Sequence, residues 1–221
     1  MQKVLYFFIL LLVQSTVNGQ RWEIGLNTGW DFYADHHNIS EKQNWPVNGL
    51  PAGKVSVTVP HTWNVMPGLE KYWGKGWYEK ILDITKEMKG KVIRLQFDGV
   101  YHDATIWVNG EKAGGHYGAG YTRFYIDITD FVIPGKPNRL VVLTDNSASR
   151  SSLPFMKSFD WAHDGGIYRN VKLILTEPQY IERVDVLANP DLINPSKGNL
   201  KLKIFTPASL VNGKSTKISV E

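Results

Sequence analysis

Residues 91–110 read KVIRLQFDGVYHDATIWVNG, and they hold two short runs of one kind. In the first, Val92, Arg94 and Gln96 alternate with Ile93, Leu95 and Phe97. In the second, residues 104–108 (ATIWV) run directly into Asn109-Gly110. A period of two is the signature of a strand with one face on a core. Asn-Gly is a strong signal for a two-residue hairpin, because both positions tolerate positive φ. The same pattern recurs on both sides of this stretch. Val55, Val57 and Val59 alternate with Ser56 and Thr58 and are closed by Pro60. Residues 76–84 (GWYEKILDI), 122–128 (TRFYIDI), 139–144 (RLVVLT), 167–175 (IYRNVKLIL) and 180–187 (YIERVDVL) follow, with Pro134-Gly135 as a turn. Only residues 127–132 read as a helical turn. Many short strands at regular spacing, without 10–15-residue helical patterns between them, predict an all-β, jelly-roll β-sandwich.

The chain has 221 residues, 25 Lys and Arg against 21 Asp and Glu, and no cysteine. A (β/α)₈ barrel needs about 250 residues by itself. The absence of cysteine excludes a disulfide scaffold, a thiol nucleophile and a Cys-ligated zinc or Fe–S site. The basic residues are scattered singly, so the sequence carries no nucleic-acid footprint. The first residues have a different character. A short positive start precedes an unbroken apolar run at 4–13 (VLYFFILLLV) and a small, polar stretch at 14–19 (QSTVNG). This is the layout of a secretory signal peptide, with Val17 and Gly19 at the cleavage site and the cut before Gln20. Ten apolar residues are too few to span a bilayer as a helix. The expected product is exported, to the periplasm or the extracellular space, with no membrane span. A second change falls near Glu177-Pro178, after which Trp disappears and Lys, Asn, Ser and Val dominate. Residues 189–199 (NPDLINPSKGN) read as a connection, and 200–206 and 215–221 as two further strands. The expected division is a signal peptide at 1–19, a jelly roll at 20–179 and an incomplete second β-sandwich at 180–221.

Glycoside hydrolysis needs two carboxylates across one bond. Glu79, Asp83 and Asp127 stand in alternating strand contexts and read as solvated strand-face or turn residues. The six histidines have neither HExxH nor H-x₃₋₅-H spacing, and His36-His37 read as exposed loop residues. The glycines of residues 114–120 (GGHYGAG) precede a strand-like run, which is wrong for a phosphate cradle. Residues 158–170 (SFDWAHDGGIYRN) are the densest polar and aromatic stretch. A carboxylate beside an aromatic ring suits a sugar, whose C–H face packs on the ring while its hydroxyls donate to the carboxylate. The alternative is a Gly165-Gly166 turn with Trp161 plugging the sandwich end.

At this stretch a family resemblance becomes specific. Val59-Pro60-His61-Thr62-Trp63-Asn64, Gly76-Trp77-Tyr78-Glu79-Lys80, Leu95-Gln96-Phe97-Asp98-Gly99-Val100 and Trp107-Val108-Asn109-Gly110 occur in order, followed by residues 114–129 and 164–171 (DGGIYRNV). Over about residues 25–175 the chain resembles the N-terminal sugar-binding domain of glycoside hydrolase family 2, which includes β-galactosidases, β-glucuronidases and β-mannosidases. The resemblance implies a galactose-binding-like jelly roll followed by an immunoglobulin-like sandwich and a (β/α)₈ barrel. Residues from about 180 resemble the start of that second sandwich.

The resemblance also implies a role for Asp160, six residues before Gly166 of the Gly-Ile-Tyr-Arg motif. In the family, that Asp reaches from the jelly roll to the glycone hydroxyls. Trp161, His163 and Asp164 complete the candidate substrate-binding set. The family's catalytic pair is two barrel glutamates, one preceded by Asn. This sequence has no Asn-Glu dipeptide, so no catalytic residue, metal site or cofactor is assigned to it. The implied protein is the sugar-binding part of an exported retaining glycosidase, β-galactosidase-like, and inactive without its barrel. Its expected partners are a β-linked oligosaccharide or glycan and the immunoglobulin-like and barrel domains, with the oligomeric state left open. The sugar-contacting Asn of the β-galactosidase subgroup has no counterpart in the short connection at 65–75 (VMPGLEKYWGK). The competing readings are a stand-alone carbohydrate-binding sandwich and a bracing domain without sugar contact.

Overall fold

The computed structural model describes residues 21–147, 163–194 and 196–207. In chain order the elements are β1 (Trp22–Gly25), β2 (Trp30–Ala34), α1 (Ser40–Gln43), α2 (Trp45–Asn48), β3 (Val55–Val57), β4 (Lys75–Ile84), β5 (Val92–Phe97), β6 (Asp103–Val108), β7 (Glu111–His116), β8 (Phe124–Asp127), β9 (Lys136–Asp145), β10 (Val171–Thr176), β11 (Arg183–Pro190) and β12 (Gly198–Phe205). A six-stranded sheet runs β3-β2-β4-β9-β6-β7 and a four-stranded sheet runs β1-β10-β5-β8. Every pairing is antiparallel, as a sandwich without crossover helices requires. The expected all-β sandwich is what the chain forms. Among the described residues, β11 and β12 pair only with each other. The expected strand at 215–221 and the leader at 1–19 lie outside the described residues.

Alternation decides which side chains meet between the sheets. Tyr78, Leu82 and Ile84 of β4, Leu140 and Val142 of β9, and Ala104, Ile106 and Val108 of β6 face inward. They meet Ile93, Leu95 and Phe97 of β5 and Val171, Leu173 and Leu175 of β10 in one buried cluster. The Asn-Gly hairpin forms as read. Asn109 and Gly110 have φ of 53° and 88°, and they join β6 to β7. Where residues 127–132 suggested a helical turn, the chain forms the end of β8 and then a hydrogen-bonded turn, Phe131 N–H to the Ile128 carbonyl at 3.0 Å.

The outer face of the six-stranded sheet is also covered. α1 and α2 lay Trp45 over Trp77 and Val141, with Trp45 and Trp77 ring centroids 5.6 Å apart. This cover explains a departure from the sequence reading. Asp83 and Asp127 are exposed as expected, but Glu79 is buried, at 6% exposure. Its carboxylate takes a hydrogen bond from Lys54 Nζ at 2.9 Å and one from the Leu50 N–H at 3.3 Å, and it pairs with Arg139 Nε at 2.9 Å. The helical cover removed water from that strand face, so the charge needed cationic partners. Asp31 and then Glu79, bonded to the same ammonium, hold Lys54 above the ordinary lysine range. No helix among the described residues is long and apolar enough to cross a membrane.

Candidate functional site

Register brings three loops to one end of the sandwich. Lys75 at the start of β4 faces Asp145 at the end of β9, and Asp145 faces Asp103 at the start of β6. The loop before β4, the chain after β9 and the loop before β6 therefore converge. Residues 163–167 run into the same place. The Tyr101 N–H donates to the Gly166 carbonyl at 2.9 Å, the Gly166 N–H returns the bond at 3.2 Å, and the His61 N–H donates to the Ile167 carbonyl at 2.8 Å.

Two glycines and one tryptophan set this junction. The Trp63 ring is fully buried, lies against Gly165 on one side and Gly76 on another, and stacks on Phe32 at 5.7 Å. A Cβ on Gly165 would lie within 2.6 Å of three Trp63 ring carbons. Gly166 has φ of +139° with the His61 carbonyl and the Tyr78 hydroxyl beside it, so a side chain is excluded there by both conformation and space. Asn64 ties the pieces together. Its Oδ1 accepts the Gly165 N–H at 2.8 Å, and its Nδ2 donates to the Leu69 and Tyr72 carbonyls, each at 3.1 Å.

His163 is the polar centre of the cluster. It is buried, at 2% exposure. Its Nδ1 is 2.7 Å from the Tyr101 hydroxyl, and its carbonyl accepts from Asn146 Nδ2 at 2.6 Å. The ring packs at 4.9 Å from Trp73 and 5.8 Å from Tyr101. Burial, and then the nearby His102, hold its imidazole below the ordinary histidine range. The ring is thus neutral near pH 7. Its Nε2 is buried with no hydrogen-bond partner among the described residues. His102 binds the Asp103 carboxylate through Nδ1 at 2.8 Å and faces the Ser147 carbonyl through Nε2 at 2.9 Å. Burial pushes Tyr72 up to about 12, with Asp35 adding to the effect, and burial also raises the Tyr101 hydroxyl above the ordinary tyrosine range. The cluster is thus largely buried and rich in aromatic rings, and Tyr72 and Trp73 are its half-buried members.

Of the four candidate residues, His163 and Asp164 are described. His163 is inside the cluster, and Asp164 is exposed beside it. Asp160 and Trp161 lie outside the described residues, so neither the Asp160 contact nor the Trp161 plug is placed. Tyr101, Trp73 and Asn146 were missed by the sequence reading. They lie 62, 90 and 17 residues from His163 along the chain, and strand register alone joins them. Among the described residues, no group of three or more His, Asp and Glu side chains is arranged to hold a metal ion.

Residues 24–178 match the sugar-binding domain of glycosyl hydrolases family 2. The chain belongs to glycosyl hydrolase family 2. The matched region takes in β2 to β10 whole, together with the entire His163 cluster. A β-glucuronidase of Bacteroides fragilis is 32% identical over 208 residues, which is 90% of this chain and 28% of that protein. A β-galactosidase of Thermoanaerobacter pseudethanolicus is 32% identical over 167 residues, 73% of this chain and 22% of that protein. The crystal structure of Ruminococcus gnavus β-glucuronidase superposes with a TM-score of 0.75 at 26% identity, covering 85% of this chain and 34% of that one. This family 2 chain therefore spans about a third or less of the length of these relatives.

Proposed function

We propose that this chain forms one wall of the sugar site in an exported, retaining family 2 β-glycosidase. Asp160 binds glycone hydroxyls, while Trp161, His163 and Asp164 shape the wall around it. The two catalytic glutamates of this reading sit on a barrel outside the chain, one as acid/base and one as nucleophile. The observation that supports the reading is the convergence of three loops on residues 163–166. These residues start three positions after Asp160, at the sandwich end where jelly-roll loops carry function. The preferred glycone is a β-glucuronide, supported by the name of the B. fragilis relative that covers most of this chain and by the R. gnavus neighbour. The β-galactoside reading stands second, supported by the Thermoanaerobacter relative.

The test is turnover of p-nitrophenyl β-D-glucuronide and β-D-galactoside by the full-length gene product and its Asp160→Ala variant. The expected result is faster glucuronide turnover, and a kcat/KM at least about tenfold lower in the variant. Wild-type kcat/KM in a folded Asp160→Ala enzyme would refute the sugar-wall reading. Faster galactoside turnover would reverse the choice of glycone.

A further inference from the structure

Arg94 is the anomaly of the four-stranded sheet. It sits on the outer face of β5, yet it is only 8% exposed. Its guanidinium lies between two rings, 4.4 Å from the Tyr180 centroid and 5.7 Å from the Tyr125 centroid. Its Nε is buried without a hydrogen-bond partner among the described residues. Asp127 stands directly across the strand pair, but its Oδ1 is turned to the Thr129 N–H and hydroxyl at 2.9 Å and 2.6 Å. A buried cation facing only aromatic rings keeps some stabilisation from their π faces. Its Nε still lacks, among the described residues, the acceptor that a buried N–H needs.

The guanidinium lines a cleft between the sheet and the β11–β12 hairpin. Arg21, Arg94, Tyr125, Glu182, Arg183 and Phe205 form its walls around about 330 Å³. Two of its cations are already matched: Arg21 pairs with Glu23 at 3.1 Å and Arg183 with Asp185 at 2.9 Å. Arg94 has no carboxylate within 4 Å among the described residues, and Glu182 stands on the opposite account, a carboxylate with no ion pair among them. The cleft shares no residue with the His163 cluster.

We propose that this cleft binds the carboxylate of an acidic sugar through Arg94. The charge of the ligand follows from the walls. One unmatched guanidinium facing one repelling Glu182 suits a single negative charge better than a doubly charged phosphate. The fork of Arg94 takes a planar carboxylate in two parallel bonds. The exposed Tyr125 ring supplies apolar contact for sugar C–H groups, while Phe205 carries Arg183 at 4.1 Å and Lys203 at 4.7 Å on its ring. The volume is at the small end of the range for ligand sites, about 300–1,000 Å³, and holds a single ring. A free uronic acid and the uronyl end of a glycan share this chemistry. The proposal does not depend on the glycosidase reading.

The experiment is calorimetric titration of the chain with D-glucuronate, a short oligogalacturonide, D-glucose and acetate. Free uronate binding as tightly as the oligomer identifies a monosaccharide site; oligomer binding at least about tenfold tighter identifies a chain-end site. In both cases Arg94→Met weakens binding at least about tenfold, Glu182→Gln tightens it about threefold or more, and Glu111→Gln, exposed on the edge strand β7 of the other sheet, leaves it unchanged. Failure of the glycosidase reading leaves these results untouched, and failure here leaves that reading untouched. No uronate binding, equal binding of glucose or acetate, or uronate binding unchanged in Arg94→Met overturns the proposal. Because Arg94→Met removes a packed side chain, Glu182→Gln serves as the second arm. Unchanged affinity in that variant means Glu182 does not face the ligand, and it also overturns the proposal.

Discussion

Replacing Gly165 by alanine tests whether the slot around Trp63 is as tight as its geometry implies. The new methyl would sit within 2.6 Å of three Trp63 ring carbons. Carbon–carbon contacts are favourable near 3.5–4.0 Å, so ring or backbone must move by about 1 Å or more. The ring has nowhere to go. Gly76 touches it from β4, where an added Cβ would also lie within 2.9 Å of three ring carbons, and Phe32 stacks on it at 5.7 Å. The Gly165 backbone is equally held, by its N–H to Asn64 and by its carbonyl, which accepts from the Trp63 N–H at 3.2 Å. Overpacking usually costs 1–3 kcal/mol, and a site blocked on both sides belongs at the upper end, about 3 kcal/mol. For a chain of this size each kcal/mol moves Tm by roughly 2–4 °C, so Gly165→Ala should melt about 6–12 °C below wild type. Gly25 has nothing within 4 Å of an added Cβ and serves as the control, with a change of about 0.5 kcal/mol or less. Differential scanning calorimetry reads both. A Gly165→Ala protein melting within 2 °C of wild type would refute the slot and the junction built on it.

His61 makes stability depend on pH. Burial pushes its imidazole down to about 4 from an ordinary value of 6.5. Between those values the unfolded chain binds the proton and the folded chain does not. The contribution is therefore complete above about pH 6.5 and is lost as pH falls through about 4. It amounts to about 3 kcal/mol at most for a ring that keeps some contact with water. Urea midpoints measured from pH 7.5 to 4 should fall less steeply in His61→Gln than in wild type; parallel slopes would rule the effect out. Asn64→Ala should cost about 1–3 kcal/mol, because it strands the buried Gly165 N–H and two loop carbonyls, and a urea midpoint matching wild type would contradict that. Glu79→Gln weakens the pairing to Lys54 and Arg139 beneath the helical cover. Both cations still reach water, at 36% and 38% side-chain exposure, so the expected loss is a modest 1–2 kcal/mol or so. A loss above about 4 kcal/mol in the same titration would mean that the cations are locked in place.

The central strands were legible because their chemistry is local. The alternation of β5 and β6 and the Asn109-Gly110 turn fix strands and a hairpin with no knowledge of the rest of the fold. β7 was hidden because Gly114 and Gly115 look like loop residues. They are small because Ile126 and Tyr117 pack onto the strand there. β1 and β2 are short, and α1 and α2 have four residues each, too few for a period to show. Glu79 was misread for the same reason: alternation assigns it to the outer face, but nothing local says that α1 and α2 cover that face. At the candidate site, residues 158–170 stood out by composition. The partners of His163 did not, because Tyr101 and Asn146 reach it only through the register of β6 and β9.

The order of the small sheet bears on how the chain is made. β10, at 171–176, lies between β1, at 22–25, and β5, at 92–97, so the middle of that sheet is the last part of the sandwich to be synthesised. Until it emerges, β1 has no partner strand, and β5 exposes one edge along its length. Such edges pair readily with other chains, and their late closure is the kind of long-range step that folds slowly. A nascent chain stopped before residue 171 is thus an unfinished sandwich with a sticky seam, and a chaperone that shields strand edges would serve it best during that interval.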